Sequence, residues 1–272
     1  MAVYVITGVS KGIGFEFIKQ ISANPKNLVV GLVRDKTGTE KKVAAVLGDR
    51  PNLHILHGDL TKRATLEQAA IDTAEIVGER GVDYLIANGA LVSAFDAYAP
   101  IGTLAEKPEE LDAVVSELWQ TNVTGNIHLF KLFLPLIQKG KAKKVITITT
   151  GLADLELTNQ YEMEIGSLYA ASKAALNLVV GKFHAQYKKE GILFVSISPG
   201  VVDVGRNGDL TPEELQQWQN FGAQVMAYAP DWKGPITPEE SVRDIQSTFE
   251  RITIEDGFGG AFISHRGDKK WV

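Results

Sequence analysis

The chain has 272 residues, a hydrophobic fraction of 44% and a formal net charge of −5 at pH 7. The absence of cysteine excludes disulfides and thiolate metal sites, and the negative charge argues against general nucleic-acid binding. No linker, repeat, signal peptide or bilayer-length apolar stretch is recognisable, so we expect one cytoplasmic domain with no membrane partner.

Short apolar runs rich in β-branched residues alternate with longer amphipathic segments along the whole chain. The short runs predict seven strands, at residues 3–6, 28–33, 53–57, 82–87, 144–149, 193–198 and 260–264. The longer segments predict helices at residues 15–21, 40–47, 61–80 (with Thr61 as cap), 108–138, 166–189 and 237–252. This alternation predicts an α/β class protein, a doubly wound parallel sheet of Rossmann type in a single domain, 1–272.

Ligands of doubly wound sheets bind at the carboxyl ends of the strands. Polar or turn-forming residues stand at six of those predicted ends, namely Thr7, Arg34, Asp59, Asn88, Thr150 and Pro199. We therefore expect these residues to share one site.

A glycine-rich segment, Thr7-Gly8-Val9-Ser10-Lys11-Gly12-Ile13-Gly14, joins the first strand to the first helix. Glycine permits a tight turn there and lets backbone amides approach a phosphate at the helix N-terminus. The segment predicts a nucleotide cradle, although a plain strand-to-helix turn is the alternative. The candidate contacts are Gly8, Ser10, Lys11, Gly12, Ile13 and Gly14.

Farther along the chain, Tyr169 and Lys173 stand four residues apart, on one face of a predicted helix. Free tyrosine has a pKa of about 10, and a neighbouring ammonium favours its phenolate. The pair therefore predicts acid–base chemistry at a carbonyl or alcohol, with an ordinary surface pair as the alternative.

Together, Thr7-Gly-x-x-x-Gly-Ile-Gly and Tyr169-x-x-x-Lys173 resemble the motifs of the short-chain dehydrogenase/reductase family over nearly the whole chain. Residues 172–177 and the terminal Gly267-Asp268…Trp271 are similar to its carbonyl-reductase-like (C-factor-like) branch. The resemblance implies that Tyr169 gives a proton to the substrate and that Lys173 also binds the nicotinamide ribose. It also implies a possible homodimer or homotetramer formed through the helices near 111–136 and 169–187.

The family places a serine at the end of the fifth strand to hold the substrate carbonyl, and this chain has none there. We assign that role to the hydroxyl of Thr150, with Thr149 as the second choice. A β-branched threonine that merely suits a strand is the alternative. Asn122 resembles the helical asparagine with which the family anchors a water in its proton relay.

The cofactor is predicted from the end of the second strand, where an acidic residue favours NAD and a basic one NADP. Arg34 stands there, and Lys11 lies within reach of the same phosphate, so we predict NADP(H). Asp35 keeps NAD(H) as the less favoured alternative. The resemblance implies further cofactor contacts at Asp59, Leu60, Asn88, Gly89, Tyr169, Lys173, Pro199, Gly200 and Val202. It also reveals two departures, an Asn88-Gly89-Ala90 order that inverts the usual small pair, and Val204 where a threonine is usual.

Two further segments are predicted to cover the substrate. Residues 203–235 begin a helix with the capping box Thr211–Glu214 and contain bulky apolar residues, which favours a mobile lid over a packed surface excursion. The acidic insert 154–164 lies between two catalytic elements, with Tyr161 and Met163 as candidate walls.

The sequence thus predicts an NADP(H)-dependent enzyme that reduces a ketone or aldehyde to an alcohol, with a bulky or hydrophobic small molecule as substrate. The alternative is a non-redox member of the same fold that binds the nucleotide as a sensor or scaffold. Histidine spacing suggests no metal site, and no serine lies in the turn that a hydrolase requires.

Overall fold

The computed structural model describes residues 2–205 and 210–272, so part of the predicted lid, residues 206–209, lies outside the described residues. Seven strands form one parallel sheet in the order β3-β2-β1-β4-β5-β6-β7, which confirms the predicted doubly wound fold. The strands are β1 Val3–Thr7, β2 Leu28–Val33, β3 Leu53–His57, β4 Tyr84–Ala87, β5 Lys144–Ile148, β6 Leu193–Ser198 and β7 Phe262–Ser264. The strand order reverses beside β1, and that switch point is where such sheets open a crevice for ligands.

Ten α-helices flank this sheet within the described residues. They are α1 Gly12–Ser22, α2 Lys36–Leu47, α3 Arg63–Val77, α4 Ile101–Leu104, α5 Pro108–Leu118, α6 Gly125–Lys139, α7 Leu155–Tyr161, α8 Ser167–Tyr187, α9 Pro212–Tyr228 and α10 Pro238–Arg251. Helices α3, α6 and α8 cover one face of the sheet, and α1 and α10 cover the other. Because both faces are covered, β1, β2 and β6 are buried along their whole length, and β2 has the continuous apolar sequence that such a strand favours.

The predicted helix 108–138 is interrupted. Between α5 and α6 the chain forms a π-turn, Trp119–Thr124, in which the side-chain amide of Asn126 donates to the backbone carbonyl of Asn122 at 2.8 Å. A side chain inserted into the helical ladder produces such a local widening. The interruption carries Asn122, which makes it part of the candidate site.

The predicted cap of α3 is wrong. Helix α3 begins at Arg63, after Lys62, which makes no side-chain cap. Thr61 instead donates its backbone N–H and its hydroxyl to one carboxylate oxygen of Asp59, at 2.9 and 2.8 Å. The aspartate therefore orders the turn that precedes the helix.

A third apolar cluster lies beyond the carboxyl edge of the sheet. We call it the edge cluster, and its buried members are Leu157, Met163, Ile165, Phe221, Val225 and Trp271. These residues come from α7, the segment after it, α9 and the C-terminal tail. The excursion that contains α9 leaves and returns at one point, because Asp203 donates its N–H to the carbonyl of Ile236 at 2.9 Å, and the N–H of Ile236 donates to Val201 at 2.9 Å.

Residues 2–205 and 210–272 contain neither a membrane-crossing helix nor a cluster of metal ligands. No helix there has the length and apolar character needed to cross a bilayer. The same residues contain no group of three or more histidine, aspartate or glutamate side chains arranged to hold a metal ion.

Candidate active site

The glycine-rich turn between β1 and α1 is built from backbone that leaves no room for side chains. Gly8 and Gly12 have φ angles of +72° and +56°, in the region that favours glycine. A Cβ added to Gly14 would lie 2.2 Å from the carbonyl oxygen of Gly8. The bare amides of this turn and the N-terminus of α1 fit a dinucleotide pyrophosphate, because they present N–H donors and a helix dipole to an anion.

The end of β4 is tied directly to this turn. Asn88 donates its side-chain amide to the carbonyls of Thr7 and Gly8, at 3.0 and 3.3 Å, and the N–H of Gly89 donates to the hydroxyl of Thr7 at 2.8 Å. A Cβ on Gly8 would lie 2.7 Å from the Cα of Gly89. Thus the inverted Asn88-Gly89-Ala90 order still gives a close approach of the two chain segments.

Cations collect beside the ends of β1 and β2. Arg34 and Lys11 are both exposed there, and neither side chain is buried by a structural role. Lys42, which the sequence analysis missed, donates to the backbone carbonyl of Ser10 at 2.9 Å and lies 4.3 Å from the ring centroid of Phe15. It comes from α2, and no sequence motif marks a lysine at that position.

Asp35, next to Arg34, has a structural role of its own. Its carboxylate caps α2 by accepting the N–H of Gly38 at 2.9 Å. A Cβ on Gly38 would lie 2.2 Å from the Oδ2 atom of Asp35, so this glycine is fitted to the cap. The acidic residue that kept NAD as an alternative therefore has a local structural partner.

Asp59 and Leu60 lie at the end of β3. Burial opposes ionisation of Asp59, but the hydrogen bonds from Thr61 and the charges of Arg34 and Lys62 outweigh it and hold its pKa below the usual value. Leu60 is buried and supports Gly89, since a Cβ on that glycine would lie 3.3 Å from its side chain. Both residues thus border the crevice as predicted, and their adenine contacts stay a prediction.

The segment after β6 crosses back toward the glycine-rich turn. Gly200 has a φ of +85°, and the Pro199 carbonyl accepts from the hydroxyl of Ser241 at 2.7 Å. Val202 pairs with Ile236, and the side chain of Val204 lies 3.5 Å from a Cβ built on Gly12. This segment therefore closes the crevice from the β6 side.

The Tyr169–Lys173 pair lies on α8, against the end of β5. Lys173 is only 1% exposed, and its Nζ donates to the carbonyl of Ile148 at 2.8 Å. Burial lowers the pKa of Lys173 to about 7, from an ordinary value of 10.5. The same Nζ lies 5.8 Å from the ring centroid of Tyr169, which is half-buried. A buried amine with a perturbed pKa beside a phenol is typical of a proton-transfer site rather than of a surface pair.

Asn122 connects α8 to the loop after β4. It is fully buried, its side-chain oxygen accepts the N–H of Leu91 at 2.8 Å, and its amide donates to the Leu91 carbonyl and to the hydroxyl of Ser172, both at 3.0 Å. The Ser172 hydroxyl in turn donates to the carbonyl of Tyr169 at 2.7 Å. Asn122 therefore contacts α8 through Ser172. That it anchors a water stays a prediction.

The two threonines at the end of β5 have different surroundings. Thr149 is buried within the protein, and its hydroxyl has no hydrogen-bond partner among the described residues. Thr150 is half-buried, and its hydroxyl oxygen accepts the N–H of Leu152 at 3.3 Å, which leaves its proton to donate. Only Thr150 has both an open side and a free donor, so the geometry favours it over Thr149.

The substrate side is completed by the C-terminal tail. Trp271 is 4% exposed, stacks on Phe262 with ring centroids 4.3 Å apart, and its Cβ lies 2.7 Å from a Cβ built on Gly151. Gly151 directly follows Thr150, so the tail supports the turn that carries this hydroxyl.

The comparisons with known proteins agree with this geometry. The family model described as short chain dehydrogenase matches residues 2–215. The chain belongs to the short-chain dehydrogenase/reductase family. It is 60% identical to the short-chain dehydrogenase/reductase iacC of Pestalotiopsis fici and 50% identical to the short chain dehydrogenase virK of Hypocrea virens, with all of both chains covered in each case.

Solved structures show the same fold in this family of oxidoreductases. The NADPH-bound carbonyl reductase from chicken fatty liver has a TM-score of 0.76 at 23% identity, and the carbonyl reductase Sniffer of Drosophila melanogaster has 0.77 at 20%. Each alignment covers 98% of both chains. The predicted family and its carbonyl-reductase-like fold are therefore confirmed, and the roles of individual residues stay predictions.

The two segments predicted to cover the substrate, the acidic insert 154–164 and the excursion that contains α9, contact each other. Tyr161, in the acidic insert, packs edge-to-face on Tyr228 of α9 with centroids 5.2 Å apart, and Met163 lies in the edge cluster. On the other side, Trp218 of α9 contacts Tyr98 with centroids 6.4 Å apart. Helix α9 therefore bridges the insert and the loop after β4, as either a lid or a packed excursion would.

One buried acid beside the site was not predicted from the sequence. Asp96, in the loop between β4 and α4, is 0% exposed and accepts the backbone N–H of Tyr169 at 2.8 Å. It lies in no motif of the family pattern and in no periodic segment, and only the fold brings it to α8.

Proposed function

We propose that this protein is an NADP(H)-dependent carbonyl reductase, which converts a hydrophobic ketone or aldehyde to an alcohol. The observation that carries the proposal is the buried Lys173 beside Tyr169, at the edge of a glycine-built nucleotide cradle. Neither the lysine's burial nor its lowered pKa suits a surface pair, whereas both suit a group that controls a proton.

Several features support NADP(H) as the cofactor. Arg34, Lys11 and Lys42 supply cations where a 2′-phosphate would lie, while Asp35 is engaged as a helix cap. Among the structures with this fold, the chicken carbonyl reductase is NADPH-bound and a Burkholderia cenocepacia short chain dehydrogenase is in complex with NADP. When bound, the reduced nicotinamide supplies the hydride of the reaction.

The chain's own residues then have separate tasks. The hydroxyl of Thr150 donates to the substrate carbonyl and fixes its orientation. Tyr169 gives its phenolic proton to the alkoxide oxygen as that oxygen gains charge. The Lys173 ammonium stabilises the phenolate that remains, and a proton from solvent then restores the phenol of Tyr169. Asn122 holds the loop at Leu91 and, through Ser172, the backbone of Tyr169.

The substrate class follows from the cover. Trp271 of the edge cluster supports the turn directly after Thr150, and α9 adds aromatic side chains to the same edge of the sheet, so this apolar surface favours a hydrophobic carbonyl compound. The same proposal includes a homodimer or homotetramer in the cytoplasm. Trp119, directly after α5, and Leu178, on α8, are exposed apolar side chains that such an interface would bury.

The test is a turnover assay with NADPH or NADH and a panel of aldehydes, ketones and quinones, carried out for the wild type and Tyr169→Phe. We expect NADPH-preferring turnover that falls at least about a thousandfold in Tyr169→Phe, since the variant lacks the proton donor. Binding of NADPH by calorimetry should change less than about threefold, which separates the chemical step from binding. Equal turnover by Tyr169→Phe would overturn the assigned mechanism.

Two observations favour a second candidate, a nucleotide-binding protein without redox activity. Thr150 replaces the usual serine, and Val204 removes one usual contact to the nicotinamide. NADPH binding with no turnover of any panel compound would support this candidate, and NADPH-dependent turnover would exclude it.

A further inference from the structure

Asp96 is a buried acid that the proposed reaction does not use. Its side chain is 0% exposed, and burying a carboxylate is costly unless strong hydrogen bonds compensate for the lost water. Its Oδ2 accepts the N–H of Tyr169 at 2.8 Å, and its backbone carbonyl accepts the N–H of Gly166 at 3.0 Å. Both donors belong to the N-terminal end of α8, so Asp96 holds the start of the helix that carries Tyr169 and Lys173.

The helix cannot cap itself at this end. Gly166, the residue before its first turn, has a φ of +64° and no side chain, so it makes no capping hydrogen bond. The first amides of a helix need acceptors from elsewhere, and a carboxylate there also interacts favourably with the helix dipole. Asp96 supplies this acceptor across 73 residues of sequence, and it supplies it to Tyr169 itself.

The contact is one of two hydrogen-bonded links between the loop after β4 and the backbone of Tyr169. From Asp96 the loop runs back to Leu91, whose N–H and carbonyl are both bound by Asn122. The amide of Asn122 donates to Ser172, and the Ser172 hydroxyl donates to the carbonyl of Tyr169. The backbone of Tyr169 is thus held at its N–H by Asp96 and at its carbonyl by Ser172.

We propose that Asp96 is a positioning residue that fixes the phenol of Tyr169 in its reactive place by accepting the Tyr169 N–H. The role rests on the proposed function of Tyr169 as proton donor. Tyr169 is the third residue of α8, so the amide that a helix cap binds and the proposed proton donor belong to the same residue. A small displacement of a catalytic group can lower a rate by about a hundredfold without loss of binding.

Asp83 provides a matched control. It is also buried, and its carboxylate accepts three backbone N–H groups, those of Val3, Lys141 and Ala142, at 2.7 to 3.1 Å. It precedes β4 and therefore lies at the amino edge of the sheet, opposite the site. Asp83→Asn weakens these three hydrogen bonds to a buried carboxylate without touching α8.

The experiment compares Asp96→Ala, Asp96→Asn and Asp83→Asn, with NADPH and menadione, a quinone, at a temperature where each variant is folded. Asp96→Ala should lower kcat at least about tenfold, with the KM for NADPH changed less than about threefold. Asp96→Asn retains an oxygen acceptor and should recover kcat to within about threefold of wild type. Asp83→Asn should keep kcat within about twofold, because its site is distant.

An unchanged kcat in Asp96→Ala, or an Asp96→Asn variant as slow as Asp96→Ala, would overturn the proposal. A second measurement decides the case in which the wild type does not reduce menadione. Amide hydrogen exchange of residues 166–173, without cofactor, should be at least about tenfold faster in Asp96→Ala, near wild type in Asp96→Asn and unchanged in Asp83→Asn. Equal exchange in all four proteins would refute the role of Asp96, whereas the expected exchange without turnover of any panel compound would refute the proposed reaction and leave the Asp96 contact supported.

Discussion

The two sides of the crevice are built in different ways. On the cofactor side, backbone meets backbone, since Gly8 approaches Gly89 and Gly14 approaches Gly8 with no space for a Cβ. On the substrate side, side chains from four separate segments meet in the edge cluster. At the glycine contacts one added carbon atom produces a clash, whereas an apolar cluster tolerates substitutions that conserve its total side-chain volume. One scaffold can therefore keep its cofactor site while its substrate site varies.

The largest expected effect is that of Gly14→Ala, which disrupts the glycine turn on the cofactor side. In Gly14→Ala the new Cβ would lie 2.2 Å from the Gly8 carbonyl oxygen and 2.5 Å from the Asn88 amide, so backbone must move. We expect the Kd for NADPH to rise at least about a hundredfold and stability to fall by about 3 kcal/mol. Calorimetry and urea unfolding measure both.

Gly222→Ala is the matched control on the substrate side. Gly222 lies within α9 with nothing within 4 Å of an added Cβ. Alanine is the better helix former, so this variant should be unchanged or up to about 1 kcal/mol more stable, with normal NADPH binding. Similar losses in both variants would contradict the contrast between the two sides.

The next effect concerns the substrate side. Trp271→Ala removes a ring that stacks on Phe262 and supports Gly151, so we expect a loss of about 3 kcal/mol in urea unfolding. The KM for the carbonyl substrate should rise, while the Kd for NADPH stays within about threefold. Trp218→Ala, at 37% exposed, should cost less than about 1 kcal/mol. A Trp271→Ala variant that mainly loses NADPH affinity would show that the two sides are not separate.

The same contrast decides what the sequence could predict. The cofactor side follows local rules, since a strand, a glycine turn and a helix are contiguous, and the predicted sheet is confirmed. The π-turn at Asn122, the Asp96 contact and the place of Trp271 depend on residues far apart in the chain. Lys42 was missed for a similar reason, because only the packing of α2 brings it to Ser10. The Thr61 prediction failed because Asp59 offered that threonine a better partner than the helix.

Lys173, which lies between the cofactor side and the substrate side, gives a prediction about the pH dependence of stability. Lys173 titrates near 10.4 in an unfolded chain, and burial lowers its pKa to about 7 in the folded protein. Between those values the unfolded chain holds a proton that the folded protein lacks, so stability falls as the pH falls from about 10.5 to about 7 and this contribution is then constant. Lys173→Met removes this dependence. As the pH falls from about 9.5 to about 7, the stability of this variant relative to wild type should therefore rise by on the order of 3 kcal/mol, at about 1.4 kcal/mol per pH unit.

Urea unfolding without cofactor, between pH 6 and pH 9.5, measures that difference. Lys182→Met is the control, because Lys182 is an exposed lysine on the same helix. Its stability curve should run parallel to that of the wild type. A Lys173→Met curve that is also parallel would mean that Lys173 keeps its proton in the folded protein.

The smallest effect sharpens the comparison most, because the chain carries its own matched pair. The sequence Thr-Pro-Glu-Glu begins both α9 and α10, and Thr211 and Thr237 form the same capping box with Glu214 and Glu240. Replacing either threonine with alanine should cost its own helix about 1 kcal/mol. Helix α10 packs with α1 in the apolar core on one face of the sheet, so Thr237→Ala should lower the global free energy of unfolding by that amount.

Helix α9 buries only Phe221 and Val225, and if it is a lid it opens without the rest of the protein. Thr211→Ala should then leave the global free energy of unfolding within about 0.3 kcal/mol of wild type and raise hydrogen exchange in α9 alone, by about fivefold. Equal global losses in the two variants would mean that α9 unfolds with the core, as a packed surface excursion does. The lid would then be wrong, and substrate would have to enter through a crevice that stays open.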